Sequence, residues 1–349
     1  MKKDFSRYII DKTATILDAI KQINEFSAGQ ALVLFVLNEN EEIIGSLTDG
    51  DIRRGFIRGV NLEDSVVKSM NESFHYIENL EHYEEIKWMK EDDLKIIPHI
   101  TQDKKIIDFI ELKNFKAILP LDAVIMAGGQ GVRLKPYTND IPKPMLELNG
   151  KPIIAHNIDR LIQYGIQNIY ISVNHLKEQI KEYINSRYGD LNIQFVEETT
   201  PLGTVGSLSL IKKFLNDDVL LMNADVLTNI DFEDFYINFK NFKDDMSVAT
   251  FNIKNDIPYA VLETEGKRIK SFIEKPTYTY YSNAGIYLFH KEIAKKIPKN
   301  TVYDAIDLME KLIAEGKKVT HFPIRGYWLD IGTTQNYSKA KDDVKYIKF

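Results

Sequence analysis

A glycine-rich segment directly follows an apolar run and could bind a phosphate. Gly128, Gly129 and Gly131 come after Leu121–Met126, and Arg133 lies two residues beyond the last glycine. Glycines let backbone N–H groups approach an anion closely, and a nearby guanidinium can neutralise its charge. The segment lacks the Gly-Lys-Ser/Thr of a Walker loop and the third glycine of a dinucleotide fingerprint. It therefore predicts a phosphate loop of another kind.

A lysine follows that is held between two prolines, in Pro142-Lys143-Pro144. Proline fixes the backbone angle φ, so this arrangement gives one ammonium group a set direction. These residues alone leave two interpretations open, an exposed turn or a cation aimed at a bound anion.

Further motifs follow in a fixed order along the chain. They are residues 126–134 with 142–144, then 201–208, 222–225, 274–276, 283–287 and 328–333. Each is a weak signal, but six in one order are hard to produce by chance. Over about residues 121–337 the chain resembles the sugar-phosphate nucleotidyltransferases. The resemblance implies that a sugar 1-phosphate and a nucleoside triphosphate react to give a nucleotide sugar and pyrophosphate.

The resemblance also implies a role for each motif residue. Arg133 and Lys143 would bind the triphosphate and the departing pyrophosphate, Lys275 would bind the sugar phosphate, and Asp225 and Asp330 would bind Mg²⁺. Other nucleotide contacts would come from Ala127, Gly128, Gly129, Gly131, Gly203 and Thr204, and sugar contacts from Glu274, Asn283 and Gly285. Two carboxylates suit a magnesium whose other ligands are water and substrate phosphates. Each of these residues also has an interpretation without a substrate. A strand-end Asp is typical of a turn or a helix cap, Glu274 would be a β-turn residue, and Asn283 would be a polar group at a strand end.

The implied reaction explains why cations must surround the site. A phosphate monoester loses its second proton around pH 6, so the nucleophile is already anionic and needs no general base. The obstacle is the repulsion between two polyanions, where each pair of unit charges at 4 Å costs about 4 kcal/mol at an effective dielectric constant of 20. Positive side chains therefore supply the main catalytic effect.

Glu198 predicts the choice of base. It occupies the position before the Pro-Leu-Gly-Thr turn that reads the base in the family, where amide side chains are usual in uridylyl and thymidylyl enzymes. A carboxylate only accepts hydrogen bonds, and guanine offers adjacent N1–H and N2–H₂ donors. We therefore expect GTP rather than UTP or dTTP. The alternative is that Glu197 and Glu198 form a solvated acidic pair.

The elements that must position these residues alternate in type from residue 121 onward. Apolar strands are predicted at Leu121–Met126, 169–173 and 219–222, and helices at 153–164 and 204–214. This alternation predicts an α/β fold, a Rossmann-like three-layer domain. Strands near 246–289 would form the sugar side, where Tyr278, Tyr280 and Tyr281 either close over the sugar or are half-buried strand residues.

The first 115 residues carry a second resemblance. Residues 45–53 are similar to the signature of a CBS (cystathionine-β-synthase) domain, and a helix, strand, turn, strand order recurs after about 60 residues. A tandem CBS module implies that Thr48 and Asp51 hold the phosphate and ribose of an adenosine nucleotide. The second copy lacks the Gly-x-x-Thr pattern, so one nucleotide site is expected at most. The alternative is that both residues cap a helix that continues through Ile57.

Composition sets the remaining expectations. The 349 residues have a net charge of −6, and residues 1–120 account for all of it, with 16 Lys and Arg against 22 Asp and Glu. We predict a CBS pair at 1–116 and a catalytic domain at 121–349. An acidic chain disfavours nucleic acid and anionic membranes as partners, and the absence of cysteine excludes disulfides and thiolate catalysis. No secretory signal or spanning segment is visible, so a cytoplasmic location is expected. A homo-oligomer is a separate expectation.

The two resemblances together suggest a pathway. A CBS pair ahead of such an enzyme is similar to the guanylyltransferases of bacterial nonulosonate (legionaminic acid) pathways, which act on glucosamine 1-phosphate, and this implies GDP-glucosamine as the product. A uridylyl or thymidylyl enzyme and a non-catalytic nucleotide-sensing protein are the alternatives. The joint presence of three cations and two carboxylates favours catalysis, because a binding protein has no need for paired metal ligands.

Overall fold

The chain divides into two compact units, Met1–Leu119 and Pro120–Phe349. The computed structural model describes residues 5–26, 31–78, 83–92, 94–112 and 115–347. No helix in these ranges is long and apolar enough to cross a membrane.

The first unit contains two successive helix–strand–strand segments. The first segment has strands β1 (Ile9–Asp11), β2 (Val33–Leu37) and β3 (Ile43–Thr48) with helices α1 (Ile16–Asn24) and α2 (Asp49–Ile57). The second has helix α3 (Tyr83–Glu91) and the antiparallel strands β4 (Ile96–Ile100) and β5 (Ile106–Glu111). One apolar cluster joins Phe35 and Ile43 of the first segment to Ile100 and Phe109 of the second. The predicted element order is present in both segments, and the identity of the unit as a CBS pair stays a prediction.

The second unit contains more strands and more helices than the first. Its strands are β6 (Leu121–Met126), β7 (Glu147–Leu148), β8 (Lys151–Pro152), β9 (Asn168–Val173), β10 (Asn192–Glu197), β11 (Asp218–Asn223), β12 (Val226–Thr228), β13 (Met246–Asp256), β14 (Val261–Glu265), β15 (Arg268–Ile273), β16 (Thr277–His290), β17 (Val319–Pro323) and β18 (Trp328–Asp330). Its helices are α4 (Ile153–Gln163), α5 (Lys177–Tyr188), α6 (Phe232–Phe242), α7 (Lys291–Ala294), α8 (Ala305–Ala314) and α9 (Thr334–Asp343).

Seven of these strands form a central sheet in the order β10-β9-β6-β11-β16-β13-β17. Neighbours run parallel except at β16, which is antiparallel to both β11 and β13. The chain moves outward from β6 through β9 to β10, then returns to the other side of β6 as β11. Ligands of α/β sheets bind where the strand order reverses in this way, at the carboxyl ends of the strands. The prediction of a Rossmann-like α/β fold is confirmed as far as a mixed sheet rich in parallel strands, and this sheet places the glycine segment after β6 at that reversal.

The helix predicted at 204–214 is wrong, because the structure has a short 3-10 helix over Gly206–Leu210. The backbone here hydrogen-bonds to a distant segment, since the amides of Val205 and Gly206 both donate to the carbonyl of Tyr303 at 3.1 Å. A Cβ at Gly206 would lie 2.8 Å from the carbonyl oxygen of Thr301. Close packing against that segment therefore replaces the i to i−4 bonds of an α-helix.

Strands β13 and β16 continue as a two-stranded ribbon beyond their neighbours in the sheet. The ribbon pairs Phe251–Asp256 with Thr277–Ser282. Tyr278 in this ribbon is half-buried, and Tyr280 and Tyr281 are more exposed, at 56% and 54% of their surface. All three tyrosines lie in a strand, but the interpretation as half-buried strand residues holds for Tyr278 alone and is wrong for Tyr280 and Tyr281. Their closure over a sugar stays a prediction.

Candidate active site

The glycine segment after β6 has a backbone that needs glycine at its last position. Gly131 has a φ of +65°, and a Cβ there would lie 3.0 Å from side-chain carbons of both Lys143 and Thr138. The hydroxyl of Thr138 donates a hydrogen bond of 2.8 Å to the carbonyl of Gly131. Arg133 follows on the 3-10 turn Val132–Leu134, where it is exposed and Leu134 is buried. The loop therefore packs directly against the predicted catalytic lysine.

Lys143 is a buried cation with a fixed direction. It begins a 3-10 turn with Pro142 at the N-cap and Pro144 inside the turn, and the whole residue is 9% exposed. Its ammonium group donates a hydrogen bond to Oδ2 of Asp225. Of the two interpretations of this lysine, the exposed turn is wrong, because the residue is buried. A buried ammonium group needs an anionic partner, and Asp225 is that partner here.

The two predicted metal carboxylates lie on one small antiparallel sheet. Strand β12 follows Asp225, and its Val226 pairs with Asp330 at the end of β18. The amide of Ile331 also donates to the carbonyl of Asp225 at 2.9 Å. These backbone bonds join residues that are far apart in the sequence.

The charge balance at this pair suits a divalent cation. Burial raises the pKa of Asp330, the charge of Asp225 raises it further, and Lys143 and Arg133 oppose the rise. A cation between two half-buried carboxylates would relieve their repulsion. The described residues contain no cluster of three or more His, Asp or Glu able to hold a metal. Two carboxylates offer the oxygen ligands that suit a Mg²⁺ with most of its ligands from water and substrate, and the magnesium stays a prediction.

Glu198 is a buried carboxylate at the edge of the glycine segment. It is 7% exposed; the Ser172 hydroxyl donates to its Oε1, and the amide of Leu202 donates to its Oε2 at 3.0 Å. A Cβ on Gly128 would lie 3.2 Å from Oε1, so the absent side chain leaves this carboxylate facing the loop. The sequence predicted Glu198 and missed Ser172, because a serine inside an apolar strand carries no signal of its partner.

The alternative of a solvated acidic pair is correct for Glu197 and wrong for Glu198. Glu197 is exposed and accepts hydrogen bonds from Lys177 at 2.6 Å and Lys181 at 2.8 Å, which lower its pKa to about 2. Glu198 is turned inward, and the Nδ2 group of Asn174 donates to its backbone carbonyl at 2.8 Å. The sequence also missed Asn174, which follows β9 directly.

Gly203 and Thr204 contact the start of helix α8. Gly203 has a φ of +78°, and a Cβ there would lie 2.7 Å from Oδ1 of Asp304. The Thr204 hydroxyl donates to the same oxygen at 3.2 Å and accepts from the amide of Ala305 at 2.7 Å. The Thr204 amide also donates to Asp304 Oδ1, at 2.8 Å. Both the amide and the hydroxyl of Thr204 therefore bind the start of α8, and the nucleotide contact at Thr204 stays a prediction.

The predicted sugar residues Asn283 and Gly285 form one compact bend within β16. The Asn283 side chain accepts from the amide of Gly285 at 2.9 Å and donates to the hydroxyl of Tyr287 at 2.8 Å. Gly285 has a φ of +72°, and a Cβ there would lie 2.6 Å from the side-chain nitrogen of Asn223. The bend therefore touches Asn223, two residues before Asp225. Asn283 lies inside the strand, so its alternative as a strand-end residue is wrong.

Lys275 and Glu274 lie apart from this cluster, in the exposed turn that joins β15 to β16. Lys275 has a φ of +45°, which is uncommon outside glycine. In the part of the chain that the structure describes, neither side chain makes a hydrogen bond or an ion pair. The structure does not bring them into contact with Lys143 or the two carboxylates.

Thr48 and Asp51 in the first unit form a reciprocal helix cap. The Thr48 amide and hydroxyl donate to Asp51 Oδ2 at 2.8 and 2.5 Å, and the amide of Asp51 donates back to the hydroxyl at 3.2 Å. Arg54 pairs with the other carboxylate oxygen at 2.6 Å. The capping alternative is confirmed, and the adenosine nucleotide stays a prediction.

A parallel-rich sheet with a glycine loop, a buried lysine and two carboxylates at its reversal point defines a class of nucleotide-handling proteins. Residues 122–346 match the nucleotidyl transferase family, and the chain belongs to that family.

Individual relatives agree with this assignment. A mannose-1-phosphate guanyltransferase of Gibberella zeae is 28% identical over 228 residues, which are 62% of this chain and 62% of that protein. The mannose-1-phosphate guanylyltransferase catalytic subunit beta of Drosophila pseudoobscura pseudoobscura is 29% identical over 223 residues, which are 62% of this chain and 60% of that protein. The chain thus spans a little under two thirds of the length of these curated relatives.

A solved structure is similar over the same part of the chain. The crystal structure of HddC from Yersinia pseudotuberculosis has a TM-score of 0.52 and 26% identity, and the match covers 64% of this chain and 99% of that chain. A second crystal structure of HddC, complexed with GMP-PN, has a TM-score of 0.51, with the same identity and coverage.

Proposed function

We propose that the chain transfers a guanylyl group from GTP to a sugar 1-phosphate. An oxygen of the sugar phosphate forms a bond to the α-phosphorus of GTP, the bond from that phosphorus to the β-phosphate bridging oxygen breaks, and pyrophosphate leaves. The observation that carries the proposal is the buried Lys143 beside Asp225 and Asp330, directly under the glycine segment. A polyanion is the ligand class that such a set of groups accepts.

The cations of the site act on the departing charge. Lys143 packs its side-chain base against the loop at Gly131 and holds its ammonium group at Asp225, so a triphosphate on the loop amides would meet a positive charge that needs no rearrangement. Arg133, on the exposed turn of the same loop, adds a guanidinium that can bind two phosphate oxygens at once. Mg²⁺ held by Asp225 and Asp330 would supply further neutralisation of phosphate charge.

The guanine preference rests on the hydrogen bonds of Glu198. A carboxylate has roughly four acceptor positions, about two on each oxygen. Ser172 uses one on Oε1, and the amide of Leu202 uses one on Oε2. One position therefore stays open on each oxygen, which matches the adjacent N1–H and N2–H₂ donors of guanine. The names of the relatives, guanylyl transferases for mannose 1-phosphate, point in the same direction.

The sugar is proposed to bind across the bend at Asn283 and Gly285. Glu274 and Lys275 would contact the sugar and its phosphate from the turn that joins β15 to β16. Lys275 makes no bond to the described residues, so its ammonium group is available to a substrate phosphate. GDP-glucosamine as the product, an adenosine nucleotide in the first unit, a homo-oligomer and a cytoplasmic location stay predictions.

One experiment tests the proposed function. The purified protein is incubated with Mg²⁺ and each of GTP, UTP and dTTP, against mannose 1-phosphate and glucosamine 1-phosphate, and pyrophosphate release is measured. The same reactions with AMP or ATP added test the first unit for regulation. We expect turnover with GTP to exceed the other triphosphates at least tenfold. A clear preference for UTP refutes the guanine assignment. If none of the three triphosphates gives pyrophosphate release, the enzyme assignment is refuted.

A further inference from the structure

We infer that Ser172 is a positioning residue for base selection, because its hydroxyl holds the Glu198 carboxylate in the one orientation that pairs with guanine at two points. The inference rests on the proposed use of GTP and extends it to a residue without any substrate contact of its own. Ser172 is 0% exposed near the carboxyl end of β9.

The backbone places the two residues beside each other with little freedom. Ser172 pairs with Val196 in the parallel register of β9 and β10, two residues before Glu198. The amide of Glu198 then donates to the carbonyl of Val173 at 3.0 Å, which extends the pairing past the end of β10. The Asn174 side chain fixes the Glu198 carbonyl as well. The carboxylate therefore starts from a rigid backbone.

The side chain of Glu198 still has a soft terminal rotation, and two donors stop it. Rotation about the bond to the carboxylate group is broad for glutamate in general. Here the Ser172 hydroxyl holds Oε1 and the Leu202 amide holds Oε2, one donor for each oxygen. Without the hydroxyl, the carboxylate can turn about its remaining bond to Leu202. Its two open acceptor positions then no longer lie side by side toward the glycine segment.

Gly128 makes this orientation usable by a ligand. It has no side chain over Oε1, and even a Cβ would lie 3.2 Å from that oxygen. The open side of the carboxylate therefore faces the loop that is proposed to hold the triphosphate. A base attached to that triphosphate can approach Glu198 from this side.

Inosine triphosphate separates a two-point contact from a one-point contact. It has the N1–H donor of guanine and lacks the N2 amino group. A carboxylate held in place prefers GTP to ITP, and a carboxylate that can rotate loses most of that preference. The ratio of kcat/KM for GTP to kcat/KM for ITP therefore measures the orientation of Glu198, whereas local damage lowers both values together.

The test compares Ser172→Ala with the wild-type protein by this ratio, using mannose 1-phosphate and glucosamine 1-phosphate as acceptors. We expect the ratio to fall about tenfold, mainly through a higher KM for GTP, with ITP changed little. Ser172→Thr keeps the hydroxyl and is expected to retain the wild-type ratio. Ser247→Ala is the matched control, because Ser247 is also a 0% exposed serine of the central sheet and lies on β13.

The outcomes separate this inference from the proposed function. A wild-type protein that prefers UTP, or that does not distinguish GTP from ITP, refutes the guanine contact at Glu198 and this inference with it. A wild-type protein that prefers GTP, together with a Ser172→Ala ratio within twofold of wild type or a parallel loss with both triphosphates, overturns the role of Ser172 alone. A comparable loss in Ser172→Thr also overturns it.

Discussion

Replacing Lys143 by methionine removes one buried positive charge from the proposed active site. Methionine has a similar length and no charge, so it keeps much of the packing against Gly131. Two effects are expected. The triphosphate loses a cation that faces the loop, and Asp225 loses its hydrogen-bonded partner.

The size of the catalytic effect follows from the charge alone. One pair of unit charges at 4 Å contributes about 4 kcal/mol at an effective dielectric constant of 20. Since a factor of ten in rate corresponds to about 1.4 kcal/mol, kcat/KM is expected to fall roughly a thousandfold. The melting temperature is also expected to fall by several degrees, because the two neighbouring carboxylates lose their compensating charge.

Pyrophosphate release and thermal unfolding measure both effects on the same samples. The matched control is Lys151→Met, since Lys151 is also a partly buried lysine paired with an aspartate, Asp159, and has no predicted role in the site. It is expected to lose some stability and little activity. A Lys143→Met protein within tenfold of wild-type kcat/KM refutes the role of this cation, whatever its melting temperature.

Three further predictions concern other charged residues. Asp225→Asn and Lys275→Ala are each expected to abolish most pyrophosphate release without unfolding the protein, as judged by circular dichroism; near wild-type turnover in either would refute the assigned role. In Asp330→Asn the metal-free protein should melt at a higher temperature than metal-free wild type at pH 7, because the pKa of Asp330 is raised and its ionised form lowers the free energy of unfolding until the pH falls through that pKa; a lower melting temperature contradicts this. With Mg²⁺ present, the same variant should be inactive. Burial raises the pKa of Asp218, but bonds from His290 and Lys240 outweigh it and leave the pKa low, so Asp218→Asn should reduce the free energy of unfolding at pH 7 and the difference should shrink below about pH 4. A difference that persists at lower pH would show that the carboxylate charge is not the cause.

The sequence was sufficient for elements whose own residues carry the signal. The apolar runs predicted β6, β9 and β11 to within a residue at each end, since buried parallel strands are continuous apolar segments. Lys143 was predictable for a similar reason, because its two prolines constrain the backbone locally.

Features made by distant pairing were not predictable in this way. Strand β12 has three residues, too few to show a pattern, yet its pairing with β18 brings Asp330 beside Asp225, the two carboxylates predicted to bind metal. The local sequence around Gly206 predicted a helix, because the segment that it packs against lies near residue 301 and does not show in that local sequence. The role inferred for Ser172 depends on Glu198, which directly follows the neighbouring strand. In each case the deciding interaction is absent from the local sequence.

The order of strands in the central sheet separates the two proposed specificity contacts of this protein. The proposed base contact follows β10, and the proposed sugar bend lies in β16, on the opposite side of β6 and β11. The strands on either side of β6 and β11 therefore form two flanks, one proposed to carry the base contact and the other the sugar bend, with the phosphate site between them. Substitutions on separate flanks are expected to add independently. New combinations of base and sugar are then reachable by exchanging one flank at a time, without redesign of the centre.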